Sequence, residues 1–277
     1  MQRVSRLGLV LALLLLVALT TGPLAWQLLT AFKTDARITA LPLHWLPQPW
    51  TLEQFRRILA LQPSFGRYAL NSAAIASGST LLTLLCGAPC AYVLARLQPR
   101  GSRLIVTSLV AVTLFPYVLV FLGLLELVQW LGWGNNYLAL IGPYAAINLP
   151  LTILVLRSFF QQIPSEIEDA ARVDGYRPLQ LLLRILLPLA WPALATTALL
   201  SFIFAWNEYL FALSFISRQP LKTLPIAVAE LSGTTLFDLP YGAIAAATLL
   251  ATLPLVALVL VFQRRIVEGL TAGAVKG

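Results

Sequence analysis

Six stretches of this chain are apolar and almost free of charge, and each is about long enough to cross a lipid bilayer. Their approximate ranges are 7–32, 68–95, 104–126, 137–157, 186–216 and 239–263. A helix satisfies its own backbone hydrogen bonds inside lipid, so stretches of this kind fold as transmembrane helices. Charged residues make up only 11% of the chain, against about a quarter in soluble domains. The sequence therefore predicts an all-α integral membrane protein, a single domain with six transmembrane helices.

The first apolar run has a competing interpretation as a cleavable signal peptide, because its leucine-rich core ends at residues 20–23, Thr-Thr-Gly-Pro. Apolar residues resume as far as Phe32, however, and no small-x-small cleavage site is convincing. We therefore expect a retained first helix. The loop that follows, residues 33–67, contains Trp45 and Trp50, whose amphipathic rings suit a membrane interface.

The net charge of +8 is better explained by basic cytoplasmic loops than by nucleic-acid binding, because the chain is so apolar. With the N-terminus inside, 12 basic residues lie in cytoplasmic segments and 7 lie outside. Five of those 7 belong to residues 33–67 and do not follow the positive-inside rule. The later loops favour an orientation with both termini in the cytoplasm.

The longest polar interruption is the loop 161–190. Ser165 and Glu168 have the spacing of a capping box, in which each side chain accepts a hydrogen bond from the other's backbone N–H. This spacing predicts a short helix over about 166–174. Gly175 follows as the expected left-handed stop, because glycine adopts positive φ without steric cost.

One side of this short helix is predicted to carry Ile167, Ala170 and Ala171, which recur at helical spacing. The two alanines leave a low surface that the groove of another protein can approach closely. The shape predicts a docking element.

At these residues the chain resembles the membrane subunits of ATP-binding-cassette importers, in the carbohydrate branch that includes maltose- and trehalose-type permeases. The likeness covers most of the chain from Asn71 onward. The motifs that carry it are AYVLARLQPRG at 91–101, DAARVDG at 169–175, ILLPLAWP at 185–192, AWNEYLFAL at 205–213 and RRIVEGLTAGAVKG at 264–277. The DAARVDG motif is similar to the family's EAA loop, except that Asp169 stands where the family usually has Glu.

The resemblance implies the type I importer permease fold in the inner membrane of a prokaryotic cell. It also implies a sugar pathway between this chain and a second permease, driven by two cytoplasmic ATPase subunits and surrounded by lipid. An extracytoplasmic binding protein would deliver the carbohydrate. A permease for another solute, such as a polyol or glycerol phosphate, is an open alternative.

The resemblance further implies which residues couple the chain to the ATPase. In the polar loop they are Glu168, Asp169, Ala170, Ala171, Asp174 and Gly175. In the tail, residues 264–277, they are Gly269, Leu270, Thr271 and Gly273. The glycines predict that this tail is not a firm helix by itself, so we expect an extended segment that reaches the ATPase; a frayed terminus is the alternative.

No phosphate-binding G-x-x-x-x-G-K-[ST] loop, zinc-protease motif or nucleophile elbow occurs in the sequence. We therefore expect no cofactor, no metal site and no enzymatic activity in the chain itself. Active transport would then draw energy from a partner ATPase or from an ion gradient. An ion-coupled carrier usually places ionisable groups within its spans, and these spans are nearly charge-free.

The fifth run, 186–216, begins with Pro188 and Pro192, which predict a bent entry. It also contains Glu208, although a charge at the centre of a span costs roughly 3 kcal/mol. The neighbours of this carboxylate are Trp206, Asn207 and Tyr209. Aromatic faces with an amide and a carboxylate suit a sugar, so a substrate contact is one interpretation. A cluster that packs helices together is the other.

Overall fold

The computed structural model describes the backbone of residues 6–232 and 239–274, and the side chains of residues 8–232 and 239–263. Within that part every regular element is a helix. Four helices there are long and apolar enough to cross a membrane, and two bent pairs raise the number to six if each pair is one crossing. The four are α1 (Arg6–Ala31), α4 (Phe65–Tyr92), α7 (Leu138–Gln162) and α14 (Tyr241–Ala274).

Shorter elements connect them. After α1 come α2 (Asp35–Ile38) and α3 (Glu53–Leu59), and α4 is prolonged by a π-helical turn, Val93–Leu97. A short helix in the polar loop, α8, spans Ser165–Val173, and α13 spans Leu224–Glu230. By its internal contacts the chain divides into two compact units. The first has the described residues up to Arg67 and 227–254; the second has 68–226 and the described residues from 255 onward.

The third predicted crossing, 104–126, is not one straight helix. Helix α5 (Ser102–Leu114) is followed by a 3-10 turn (Tyr117–Val120) and by α6 (Phe121–Trp130), and the direction changes by 97° between α5 and the rest. The break lies at Phe115, which is extended with φ −80° and ψ 131°. Proline disfavours the helical region for the residue before it, and Pro116 follows Phe115. This local restriction interrupts the apolar run, so the predicted crossing is a bent pair of helices rather than one straight helix.

The fifth predicted crossing, 186–216, is broken twice. It is entered through α9 (Pro178–Leu181), a π-helical turn (Leu182–Leu186) and α10 (Leu187–Leu189). An 82° bend then leads into α11 (Trp191–Asn207), as the two prolines predicted. The second break, at Glu208 and Tyr209, separates α11 from α12 (Leu210–Phe215). The sequence did not predict that break.

In the first unit, the loop after α1 is an ordered structure built on a buried lysine. Lys33 Nζ donates a hydrogen bond to the carbonyl oxygen of His44 at 2.6 Å and lies 4.2 Å from the ring centroid of Trp26. Burial lowers the pKa of the Lys33 ammonium. Gln54, also buried, donates to Lys33 O at 3.2 Å and to Asp35 Oδ1 at 2.8 Å. Side-chain bonds, rather than a continuous helix, therefore hold residues 33–59 in place.

In the second unit, α7 lies at the centre, against α5, α11, α12 and the π-helical turn that follows α4. Helix α4 approaches α7 closely because it presents glycines: a Cβ at Gly78 would lie 2.9 Å from Ile141 Cδ1, and one at Gly87 would lie 3.1 Å from Thr152 Cγ2. Small residues permit such approach between membrane helices. At one end of this unit Asn71 donates to the carbonyl oxygens of Pro220 and Lys222 at 2.9 and 2.8 Å.

Candidate functional site

The polar loop contains the predicted short helix with the predicted stop. Helix α8 begins at Ser165 and ends at Val173, and Gly175 has φ +82°. The N–H of Gly175 donates to Arg172 O, and the N–H of Tyr176 donates to Ala171 O, both at 3.0 Å. These two bonds form a Schellman motif, which satisfies the last carbonyls of α8 and turns the chain sharply.

The predicted capping box is wrong. Helix α8 begins at Ser165 itself, and Pro164 precedes it without a side-chain cap. Glu168 therefore lies one turn inside the helix and faces the protein, with 3% of its surface exposed. Its Oε1 lies 2.5 Å from Arg96 Nε, and its Oε2 lies 3.6 Å from Arg172 Nη2. A buried guanidinium holds this carboxylate, so Glu168 is not available to cap the backbone.

The two alanines of the predicted docking surface point in different directions. Ala171 is 4% exposed and belongs to a buried apolar cluster that also includes Tyr92, Ala95 and Phe160. Ala170 remains exposed. The prediction that both alanines face a partner was wrong for Ala171, because the inward side of α8 is the side that carries Glu168.

The outward side of α8 carries an apolar stripe of its own. Ile167, Ala170 and Val173 follow one another at intervals of three residues, and Val173 is 88% exposed. Asp169 and Asp174 are also exposed. We call Ile167, Ala170 and Val173 the outward stripe. A short, firmly ended helix with an exposed apolar stripe and flanking carboxylates has the form of a docking element.

The predicted tail contact falls on the last part of α14. The backbone of 264–274 continues this helix, so the expectation of an extended segment was wrong as far as Ala274. Each residue that extends an existing helix adds one backbone hydrogen bond. This gain outweighs the low helix propensity of the glycines in the tail. Gly269, Leu270, Thr271 and Gly273 are part of this helix, but their side chains and residues 275–277 lie outside what the structure describes.

The break between α11 and α12 is built on Glu208, which is 5% exposed. Its Oε1 accepts a hydrogen bond from the N–H of Phe211 at 3.0 Å, and its Oε2 accepts from the N–H of Ala212 at 3.1 Å. Tyr144 of α7 donates its hydroxyl to Oε2 at 2.5 Å. The carboxylate thus satisfies the free N–H groups at the start of α12 and binds α12 to α7.

The other residues of the predicted sugar contact are divided between interior and surface. Trp206 is buried and stacks on Phe202 with 5.7 Å between ring centroids. Asn207 is exposed, and its Nδ2 donates to Ile203 O at 2.8 Å. Tyr209 is 40% exposed. Only Asn207 and Tyr209 remain accessible, so this segment is mainly a packed joint between two helices.

A cavity of about 440 Å³ lies at the other helix break, between α5 and the 3-10 turn. Phe115, Tyr117 and Asn148 line it together with Thr113 and apolar side chains of α6 and α7. The Tyr117 ring meets Phe204 edge-on, with 5.4 Å between centroids. We call Phe115, Tyr117 and Asn148 the groove residues. These residues were not predicted from the sequence, although Pro116 and the amide of Asn148 in an apolar run were available signals.

The groove has the chemistry that carbohydrates need. The aromatic rings offer faces for sugar C–H groups. Asn148 Nδ2 already donates to Tyr144 O at 2.8 Å, and Thr113 Oγ1 donates to Val110 O at 2.7 Å. These two residues therefore offer their oxygen atoms as acceptors. Within the described residues no group of His, Cys, Asp and Glu side chains is arranged to hold a metal ion.

The family whose model matches residues 84–271 is the binding-protein-dependent transport system inner membrane component. The chain belongs to this family of permeases. Over 275 residues the permease is 37% identical to the trehalose/maltose transport system permease protein MalG of Thermococcus litoralis, covering 99% of this chain and 98% of that protein. It is 38% identical to the sulfoquinovosyl glycerol transport system permease protein SmoH of Agrobacterium fabrum over 255 residues, or 92% and 88% of the two chains.

Solved structures give the same fold. A chain of a bacterial ABC transporter that imports alginate matches this permease with a TM-score of 0.81 at 23% identity, over 95% of this chain and 98% of that one. A chain of the MetNI methionine transporter matches with a TM-score of 0.60 at 15% identity, over 78% and 98%. The predicted all-α importer permease fold and the resemblance to carbohydrate permeases are confirmed. The permease is a multi-pass inner membrane subunit of a transport system, not an enzyme.

Proposed function

We propose that this permease and a second permease subunit together form the pathway of a carbohydrate importer. Two cytoplasmic ATP-binding-cassette subunits drive it, and an extracytoplasmic binding protein supplies the sugar. The observation that carries this proposal is α8, a short helix with a rigid end and an exposed apolar stripe. The names of the relatives, which concern trehalose, maltose and a sulfoquinovosyl glycoside, support a carbohydrate as substrate.

Helix α8 is the proposed coupling element. Its outward stripe enters a groove of the ATPase, and the exposed carboxylates of Asp169 and Asp174 pair with basic groups at the rim of that groove. Gly175 adopts the left-handed conformation of the turn that sets the angle of α8. That conformation costs a residue with a Cβ roughly 1 kcal/mol or more. The loop 161–190 then faces the cytoplasm, as do both termini.

The groove residues are the proposed sugar contact in this subunit. The groove lies at a break within a membrane crossing, and transporters often build their substrate sites from such discontinuous helices. The sequence interpretation gave this role to Trp206, Asn207, Glu208 and Tyr209. Burial of Trp206 and Glu208 supports a different division, in which Glu208 holds the scaffold and Phe115, Tyr117 and Asn148 face the pathway.

An importer for a polyol or glycerol phosphate is the second candidate. One relative is named for the transport of sulfoquinovosyl glycerol, and the glycerol in that name supports this second candidate. An ion-coupled carrier loses its support, because the family depends on a binding protein.

The test is uptake into proteoliposomes that contain the complete transporter with its binding protein. We expect uptake of maltose- or trehalose-type sugars only when ATP is hydrolysed, with no response to a sodium or proton gradient. Val173→Glu should abolish this uptake, and Arg100→Ala, which changes an exposed residue outside α8, should leave it unchanged. Uptake of glycerol phosphate alone would assign the second candidate. Gradient-driven uptake without ATP would contradict both.

A further inference from the structure

The most deeply buried ion pair of the described chain lies directly beneath α8. Arg96 is in the π-helical turn that closes α4, and its Nε lies 2.5 Å from Glu168 Oε1. The side chains of Arg96 and Glu168 are 15% and 4% exposed. The two atoms meet without the alignment of a hydrogen bond, so the contact is electrostatic. Arg96 Nη2 also donates to the carbonyl oxygen of Ile163, the residue that follows α7.

One guanidinium therefore touches three elements. The Arg96 side chain extends from the turn at the end of α4. It donates to the carbonyl oxygen of Ile163, which follows α7, and contacts the carboxylate of Glu168 in α8. The apolar contact between the same elements is a buried cluster in which Ala95 and Ala171 lie among larger side chains such as Tyr92 and Phe160. Apolar attraction is not directional, so it does not by itself select one position of α8. The ion pair fixes where α8 sits on the end of α4.

Stability alone does not explain this pair. Two charges lose their hydration when they are buried, and apolar residues of similar size often hold a core together equally well. In some proteins a buried pair instead fixes a single geometry, and this is the role considered for Arg96 and Glu168. Removing one partner leaves a charge without compensation, so the pair either stays intact or the region rearranges.

The helix end on the far side of the pair is irregular. Val93–Leu97 is a π-helical turn, and Gln98 after it has φ +41°. Turns of this kind are rare and are frequently found at functional positions in helices. Arg157 of α7 donates to Leu94 O at 3.4 Å and covers a carbonyl of this turn. The pair therefore joins α8 to an irregular end of a membrane helix.

We infer that Arg96 and Glu168 form the joint through which displacement of α8 is passed to α4. The inference rests on the proposed function of α8 as the coupling helix. Both residues are positioning residues, because neither is exposed enough to contact the ATPase or the sugar. Arg172, which is exposed and lies 3.6 Å from Glu168, supports the joint from the solvent side.

The first test measures movement in the complete transporter. Spin labels are placed at Leu97 and Ser165, both exposed, in a background with Cys86→Ser and Cys90→Ser. We expect the same mean distance in the nucleotide-free and the ATP-trapped states, because the two elements move as one body. Glu168→Gln should broaden the distance distribution. With Glu168 unchanged, a shift of the mean label distance by more than about 5 Å between the two states, the size of a one-turn shift, would overturn the inference.

The second test separates the joint from mere packing. The double variant Arg96→Met/Glu168→Met removes both charges and keeps apolar volume, so we expect assembly and basal ATP hydrolysis to stay at their normal levels. Sugar uptake per ATP hydrolysed should fall about tenfold, within the usual range of coupling between linked sites. Glu166→Gln, an exposed carboxylate on the same helix, is the matched control and should change neither quantity.

Normal uptake per ATP in the double variant would overturn the inference. If the double variant does not assemble, the spin-label distances in the transporter with Arg96 and Glu168 intact decide the question. Failure of the proposed function gives a different result: Val173→Glu would then leave uptake intact, whereas failure of the joint alone leaves Val173→Glu inactive.

Discussion

Glu168 and Glu208 are buried carboxylates in two regions of the permease, and each region stabilises its carboxylate with different partners. In the α8 region a guanidinium from a distant helix neutralises Glu168. At the α11–α12 break, Glu208 is held by two backbone N–H groups and the hydroxyl of Tyr144. The first arrangement joins separate helices by charge. The second closes a gap in one membrane crossing without any opposing charge.

In both regions the residues accessible to other molecules lie beside the buried carboxylate. From the sequence, both carboxylates were candidates for such contacts, and both turn inward. In the α8 region the exposed residues are those of the outward stripe, on the side of α8 opposite Glu168. Near Glu208 the exposed ring is that of Tyr117, which packs edge-on against Phe204. Phe204 in turn contacts Tyr144, the partner of Glu208. In this permease each buried carboxylate holds helices together, and the exposed residues beside it are the proposed contacts with other molecules.

The largest expected effect is that of Glu208→Ala. The change removes the acceptor from three donors, so it should lower the free energy of unfolding by about 3 kcal/mol or more. Thermal unfolding of the purified transporter in detergent measures this loss. Tyr144→Phe removes one of the three donors and should cost about 1 kcal/mol. A fully stable Glu208→Ala variant that fails to transport would mean that this carboxylate belongs to the sugar site.

Replacing the two alanines of α8 separates its inward and outward sides. Ala171→Leu adds three carbons to a filled cluster and should destabilise the subunit by about 1–3 kcal/mol. Ala170→Leu should leave stability unchanged and lower the stimulation of ATP hydrolysis by the loaded binding protein. Unfolding temperature and stimulated hydrolysis are measured on both variants. The reverse pattern would show that the sides of α8 are assigned wrongly.

The groove residues should affect transport without affecting assembly. Tyr117→Ala removes an aromatic face, and we expect sugar uptake to fall about tenfold, equivalent to about 1.4 kcal/mol of binding. Basal ATP hydrolysis should not change. Leu122→Ala, an exposed residue of α6 outside the groove, is the control. Equal uptake by the Tyr117 and Leu122 variants would remove the groove from the pathway.

The smallest expected effect is that of Asn207→Ala. Its side chain bonds only to Ile203 O in the described structure and is exposed, so stability should change by less than about 0.5 kcal/mol. Uptake should stay near its normal level. A large loss of uptake with intact assembly would return Asn207 to the sugar contact and favour the interpretation drawn from the sequence.

The crossings could be predicted because charge-free length is a local property of the sequence. Four of the six runs correspond to single helices, and the bend near Pro188 and Pro192 followed from local geometry. The break at Phe115 was also within reach, since Pro116 restricts the residue before it. The break at Glu208 was not, because it depends on Tyr144, 64 residues earlier in the chain.

The inward side of α8 shows the same limit. Ile167, Ala170 and Ala171 share one face by spacing, and nothing local distinguishes the alanine that is buried. The distinction comes from Arg96, which draws Glu168 inward and takes Ala171 with it. Composition and motifs predicted the family and the position of the polar loop. The partners within the fold decide which side of the loop faces outward.

The most direct test of the account is photo-crosslinking from single positions of α8 in the assembled transporter. A photoreactive amino acid is placed at Val173, on the outward stripe, or at Ala171, on the inward side, and crosslinked products are identified by mass spectrometry. We predict that position 173 crosslinks to the ATPase subunit and that position 171 crosslinks only within the permease. Crosslinking of the ATPase from position 171 but not from position 173 would contradict the account.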